Sequence, residues 1–391
     1  MDFSLADERR MLQDTVRRML AQDYNFEKRR AHSRSPEGFS RAAWTQFAEL
    51  GLLGLGIPED DGGIGGDPFD TMIVMESFGR ALVVEPYLAS VVLGAGTLVD
   101  AGSAAQKSMW LPAIAGGEKL LAFAHGEAAA RYETCNVATK AHKQGDGWKI
   151  DGAKAVVLNG DSADALLVSA RTSGGARDAR GISLFLVDAK ATGITTRGYA
   201  TQDGSRAAEI RFDSVVVGAD AVVGTVDEAL PVIERTLLRA NAALCAEALG
   251  IIDALNEATL EYLKTRQQFG QPIGKFQALQ HRMADMTIRA VEARSMAIVA
   301  ASGAKKGSEP FSQKGSDPLL EGVRMVSAAK ALVGQSARFV GQQAIQLHGG
   351  IGVTDELIVS HWFKRLTMIN ATFGDADHHL AVFSDLLLES A

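Results

Sequence analysis

The chain changes its rhythm twice, and that restricts its fold more than any other feature. From about Val226 a helical period sets in, through LPVIERTLLRANAALCAEALGIIDALNEATLEYLKTR and again from Leu319 to Leu347. Long helices joined by short links predict a bundle. Residues 119–226 instead carry short apolar runs between turn residues, as in GWKIDGAKAVVLNG, ALLVSAR, GISLFLVDA and AEIRFDSVVVG. That spacing predicts an antiparallel barrel or sandwich. Residues 1–118 read as helical: SLADERRMLQDTVRRML sets Leu5, Leu12, Val16, Met19 and Leu20 on one face, with Ser4 and Asp7 forming a capping-box-like start. The expected fold class is therefore α+β multidomain, with an N-terminal α-helical domain (1–118), a middle β domain (119–226) and a C-terminal helical bundle (227–391).

Two breaker-rich stretches interrupt this plan. GLGIPEDDGGIGGDP, residues 54–68, reads as a long connection, and because no βαβ unit follows its glycines it is not a dinucleotide fingerprint. GAKKGSEPFSQKGSDP, residues 303–318, is expected to be an exposed, mobile loop.

A length of 391 residues suggests two or three domains, and 47% hydrophobic residues supply ample core. The net charge of −7 excludes a nucleic-acid surface, which needs a clustered basic excess. The opening MDFSLADERRML is acidic where a signal peptide is basic and then apolar, and no segment reaches the apolar length of a membrane span. A cytoplasmic location is expected. Cys135 and Cys245 are too few and too far apart for a disulfide framework or a cysteine metal site.

Near the C-terminus, MINATFGDADHHL gathers Asp375, Asp377, His378 and His379. Ligands to one ion on a helix sit three or four residues apart, so this spacing predicts no metal site. It predicts instead that Gly374 ends one segment and Asp375 caps a terminal helix with Leu380, Phe383, Leu386 and Leu387 facing inward.

Two further segments carry a resemblance. YLKTRQQFGQPIGKFQALQHRMADM, residues 262–286, and QLHGGIGVTDE, residues 346–356, resemble the paired signatures of the acyl-CoA dehydrogenase family, and the likeness covers almost the whole chain. The resemblance implies a helical domain, a β domain and a four-helix bundle through which four subunits assemble. It implies FAD at a subunit boundary, with the flavin mostly on one subunit and the neighbour holding pyrophosphate and adenine. The matching positions for that grip are Arg266, Gln268, Phe269, Gln277, Gln346, Gly349, Gly350 and Gly352. Arg266 can fork onto phosphate oxygens, and Gly349 and Gly350 let backbone amides approach an anion. An acyl-CoA thioester substrate and an electron-transferring flavoprotein as acceptor are implied as well.

The implied reaction removes a proton from the acyl α carbon and delivers the β hydrogen as hydride to the flavin, so a carboxylate base is required. The family seats that Glu at one of two places, which here are Phe373 and Ala240. The flavin-side segments depart too. Gly126 and Tyr132 stand for a Thr and a Ser, while Val156 and Leu158 replace a Trp-x-Thr whose Thr bonds the flavin. Tyr132 and the neighbouring His125 read as space-filling groups. Together these departures, with AFAHGEAAARYE, GQQAIQLHGGIG and FGDADHHLA, resemble the small subunits of heteromeric members, those of pimeloyl-CoA dehydrogenases most closely. That implies a large partner subunit with an intact base. Two other readings are open: a self-sufficient homotetramer using Asp375 as base, and a scaffold of the same fold without flavin.

Overall fold

The computed structural model describes residues 5–309 and 317–389. Six α-helices come first: α1 (Asp7–Asp23), α2 (Phe26–Arg34), α3 (Arg41–Glu49), α4 (Pro68–Ala81), α5 (Gly96–Ala101) and α6 (Ala104–Ala115). A buried π-helix, Tyr87–Ala95, precedes α5. The strands are β1 (Leu121–Ala124), β2 (Lys140–Gln144), β3 (Gly147–Leu158), β4 (Ala165–Arg171), β5 (Ile182–Asp188), β6 (Ile194–Ala200), β7 (Arg206–Val217) and β8 (Val222–Val223). Then come α7 (Leu230–Thr265), a hairpin of β9 (Gln267–Gln268) and β10 (Gln271–Pro272), α8 (Gln277–Gly307), α9 (Pro318–His348), α10 (Ile358–Ala371) and α11 (Ala376–Glu389).

Helix, sheet and bundle follow one another as the sequence predicts, with local corrections. Ser4 lies outside the described residues, and α1 starts after Ala6 with no side-chain cap. The breaker-rich stretch 303–318 is shorter as a loop than expected, because α8 continues through Gly307 and Pro318 already opens α9 under an Asp317 cap. Residues 310–316 lie outside the described residues. On α11, Leu380 and Leu387 face outward, 47% and 40% exposed. The Asp375 cap sets the helix phase so that Ala376 and His379 take the inner face.

By internal packing the chain forms two compact units. One gathers α1, α4, α7 from Asn241 onward, and α8 to α11. Its tightest seams are made by missing side chains. A β-carbon on Gly250 of α7 would lie 1.8 Å from Glu76 O, and one on Gly79 of α4 would lie 2.1 Å from Glu247 O, so the two backbones touch. Along α8, Ala293, Ala297, Ala300 and Ala304 are fully buried, and Gly303 meets Gly322 of α9 backbone to backbone. Buried carboxylates are matched by cations: Glu76 takes Arg17 at 2.9 Å and Arg294 at 3.4 Å, and Glu247 takes Arg365 through both oxygens at 2.5 and 2.7 Å.

The other unit holds α3, α5, α6, the start of α7 and one eight-stranded sheet in the order β6-β7-β3-β2-β4-β5-β8. The sheet forks at β4, which pairs with β1 along Ala165–Val168 and with β2 at Arg171. β4 is buried at every residue, consistent with its unbroken run ALLVSAR. Its core includes Ile150, Leu166, Val168, Phe185, Ile210 and Val215. Among the described residues no helix is long and apolar enough to cross a membrane, and no cluster of three or more His, Cys, Asp or Glu could hold a metal ion.

The helix crossing makes a direct prediction. Gly250→Ala should lower the unfolding free energy by about 3 kcal/mol, because the methyl group must displace backbone. Gly56→Ala, which meets open space, should change it by less than about 0.5 kcal/mol. Denaturant titration of both variants measures the difference.

Candidate functional site

The turn between α10 and α11 carries Phe373 and is fastened from three sides. Phe373 has φ +56° and Gly374 φ +114°, a backbone that needs outside support for a residue with a side chain. Lys330, at 1% exposure in the middle of α9, supplies it. Its Nζ donates to Thr372 O at 2.7 Å, Gly374 O at 3.0 Å and Asn241 Oδ1 at 3.1 Å. Asn241 Nδ2 in turn donates to Phe373 O at 3.3 Å. From α11, His379 Nε2 donates to the same carbonyl at 3.1 Å, while its Nδ1 meets Ser327 Oγ at 3.2 Å. Since a carbonyl only accepts, the proton of the neutral ring is on Nε2.

Burial governs the charges here. It lowers Lys330 to about 8, and it lowers His379 to about 3, with the Lys330 cation adding to the second shift. The Cys245 thiol beside them is pushed up to about 12 by burial and stays protonated. Asp375 acts as the expected cap: its Oδ1 accepts from His378 N at 2.9 Å and its carbonyl from His379 N at 3.0 Å. Ala240 is fully buried. Lys330 and Asn241 were not among the residues singled out from the sequence, although a lysine inside MVSAAKALVG is a visible anomaly in an apolar helix; His379 was singled out, but not for fastening the Phe373 turn.

The segments around Arg266 and Gly349 belong to the same unit. Arg266 ends α7, and Gln268-Phe269-Gly270-Gln271 forms a two-residue hairpin with Phe269 at φ +53° and Gly270 at φ +76°, the twist of a tight β-turn. Arg266, Gln268 and Gln277 are exposed, and Phe269 is 90% exposed. Gln346, Gly349 and Gly350 are exposed at the end of α9, where Gly349 takes φ +66°. A β-carbon at either glycine would meet nothing within 4 Å, so their backbones face open space. Gly352 differs: it is buried, and a β-carbon would strike Ile345 O at 2.9 Å. Tyr262 and His348 stack at 4.5 Å and tie the two segments together. The exposed Arg266 and the two open glycine backbones carry the kinds of donor that a phosphate accepts from.

The flavin-side positions lie in the other unit. Gly126 O accepts from Ala155 N at 2.8 Å, which sets His125 and Gly126 beside the β3 bulge. Val156 stands on that bulge with φ +52° and 54% exposure, and its N–H points to Glu209 Oε1 at 3.4 Å, which also accepts from Tyr199 OH at 3.0 Å. Neither Val156 nor Leu158 carries a side-chain donor. Behind them Lys154 is buried, donating to Glu127 Oε1 at 2.7 Å, Ser169 Oγ at 3.0 Å and His125 O at 3.1 Å. His125 Nδ1 meets Ser169 Oγ at 2.9 Å. Burial, and then the Lys154 charge, lower His125 to about 3, so its ring is neutral; burial also lowers Lys154 itself to about 8 despite Glu127.

Lys330→Met leaves three buried acceptors without a donor and should cost about 3 kcal/mol of stability. The pH dependence has a definite sign. Between about 8 in the folded chain and 10.5 unfolded, the unfolded state binds more protons, so this group makes stability rise with pH across that window. Urea unfolding from pH 7 to 10 should show that slope in the wild type and a smaller one in Lys330→Met, where only the like contribution of Lys154 is left.

Comparison with known proteins agrees with this layout. Models of the acyl-CoA dehydrogenase N-terminal, middle and C-terminal domains match residues 6–118, 122–215 and 230–386. The chain is 30% identical to the probable acyl-CoA dehydrogenase YngJ of Bacillus subtilis, over 100% of both chains. Among solved structures it is similar to the Tcur3481-Tcur3483 steroid ACAD, with TM-score 0.85, 29% identity and 99% of each chain covered. It is also similar to the ChsE4-ChsE5 complex of Mycobacterium tuberculosis, with TM-score 0.87, 26% identity and 100% of each chain covered. The chain belongs to the acyl-CoA dehydrogenase family, whose members are FAD-dependent flavoproteins.

Proposed function

We propose that this chain is the subunit without a base in a heteromeric acyl-CoA dehydrogenase, and that it completes the FAD site of a large partner subunit. The enzyme would desaturate an acyl-CoA thioester between its α and β carbons, with bound FAD accepting the β hydride. The observation that carries this reading is the Phe373 turn. The side chain at the usual base position cannot accept a proton, and Lys330, Asn241 and His379 hold its backbone in place. Asp375 sits two residues away with an oxygen engaged in a helix cap, which disfavours the self-sufficient enzyme that would use it as base. Two similar solved structures pair differently named chains, ChsE4 with ChsE5 and Tcur3481 with Tcur3483, which supports a heteromer.

In this reading the two halves of the cofactor site have separate fates. Arg266, Gly349 and Gly350 face outward and suit a neighbour's pyrophosphate, so the scaffold reading leaves them without a purpose. Val156 and Leu158 give this chain's own flavin side no donor. A medium-chain dicarboxyl thioester such as pimeloyl-CoA is the proposed substrate, an electron-transferring flavoprotein the proposed acceptor, and the cytoplasm the proposed location.

Two outcomes are expected. Reconstituted with its large subunit, the complex should hold one FAD per unlike pair, and Arg266→Ala in this chain should weaken FAD binding about tenfold to a hundredfold. Two flavins per pair, or unchanged affinity, would count against the half-site division. Phe373→Glu in the isolated chain should gain little dehydrogenase activity, because the flavin-side donors are still missing. Turnover near that of an ordinary family member would show that those departures are unimportant.

A further inference from the structure

The Phe373 turn is tied down by a group that can lose a proton. Lys330 Nζ spends one N–H on each of three acceptors: Thr372 O at 2.7 Å, Gly374 O at 3.0 Å and Asn241 Oδ1 at 3.1 Å. A charged amine has three donors and no lone pair, whereas a neutral one has two donors and a lone pair that needs a donor of its own. Loss of the proton therefore leaves one buried acceptor unmet and turns the third contact from attraction to repulsion.

Only one of the three neighbours can answer that change. Thr372 O and Gly374 O are carbonyls and cannot donate. Asn241 can, by flipping its amide so that Nδ2 faces the lone pair. In the charged state, however, Nδ2 is what holds Phe373 O, at 3.3 Å. The flip sets Oδ1 against that carbonyl, acceptor against acceptor, and His379 Nε2 at 3.1 Å is the one donor left to it among the described residues. The backbone here does not hold itself. Phe373 at φ +56° stands where a residue with a side chain stays only when its surroundings enforce it.

The neighbouring groups do not mask the change. From α7 comes Cys245, a thiol pushed up to about 12 by burial; from the turn and α11 come Asp375, His378 and His379. Burial lowers both histidines below their ordinary value, so neither changes charge above pH 7. Among the described residues α8 and α10 bring no charged group to Lys330. Burial lowers Lys330 itself to about 8, so its proton is lost in a range where Cys245 and the two histidines keep theirs unchanged.

We propose that residues 372–374 form a proton-operated latch, closed while Lys330 carries its charge and open at the Phe373–Gly374 peptide once that charge is lost and Asn241 turns away. The latch concerns the motion of the turn, so it does not depend on the subunit assignment.

Amide hydrogen exchange of the full chain from pH 7 to 9, read by mass spectrometry as protection relative to an unstructured peptide, tests the latch. Protection of residues 372–379 should fall about tenfold, the change expected when one buried hydrogen bond is lost, while that of residues 290–300 in α8 does not fall. Global stability moves the opposite way over this range, because Lys330 makes it rise with pH, so the fall is not a general loosening. In Lys330→Met the segment should be equally protected at pH 7 and pH 9. Where that variant does not fold, Asn241→Asp decides: a carboxylate beside the ammonium should retain the proton and move the midpoint of the fall up by about one pH unit or more. The latch is overturned if the wild-type segment keeps its protection from pH 7 to 9, if Lys330→Met shows the wild-type fall, or if the midpoint in Asn241→Asp stays where it was.

Discussion

A single ammonium group, Lys330 Nζ, holds the part of this molecule on which its functional reading depends. It is buried, makes no ion pair among the described residues, and gives its three protons to two turn carbonyls and an asparagine. Three neutral acceptors for three donors is the arrangement that makes a buried cation tolerable without a counter-ion. Because two of those acceptors flank Phe373, the conformation of the turn is set from α9 and not by the turn's own sequence. His379 and Asn241 converge on the carbonyl of Phe373 itself. Within FGDADHH, Asp375 caps α11 and His379 fastens the carbonyl of Phe373.

The same unit explains how α7 can serve several sites. Its glycine crossing with α4 fixes the backbone near Glu247, Glu247 is clamped by Arg365 of α10, and Arg266 ends the helix beside the exposed hairpin. Rigid helices carry the exposed groups, which is the arrangement expected where one chain presents binding residues to another surface. On the sheet side the strain lies at Val156, a β-branched residue at positive φ on a bulge. Bulges of this kind gather next to active sites. Here the bulge persists although its exposed side chain is apolar.

Much of this was legible in the sequence because it rests on periodicity. The helix, strand and helix textures located the domains, and the Arg266 and Gly349-Gly350 segments were found as motifs. The Asp375 cap followed from residue type and position. What escaped was set by tertiary packing. The outward turn of Leu380 and Leu387 depends on the helix phase fixed by the cap and on His379 filling the inner seam. The burial of Gly352 against Ile345, unlike the exposed Gly349 and Gly350 of the same motif, is likewise set by packing. Lys330 and Asn241 lie far apart in sequence, and nothing local reveals that they meet across the Phe373 turn.

The central claim is that this chain cannot remove the α-proton of an acyl thioester. Exchange of that proton with solvent isolates the step, since it needs the base but no net electron transfer. Pimeloyl-CoA incubated with the isolated, FAD-supplemented chain in deuterium oxide should gain α-deuterium no faster than in buffer, while the complex with a large subunit exchanges it. Exchange by the isolated chain at the rate of the complex, lost on Asp375→Asn, would contradict the account.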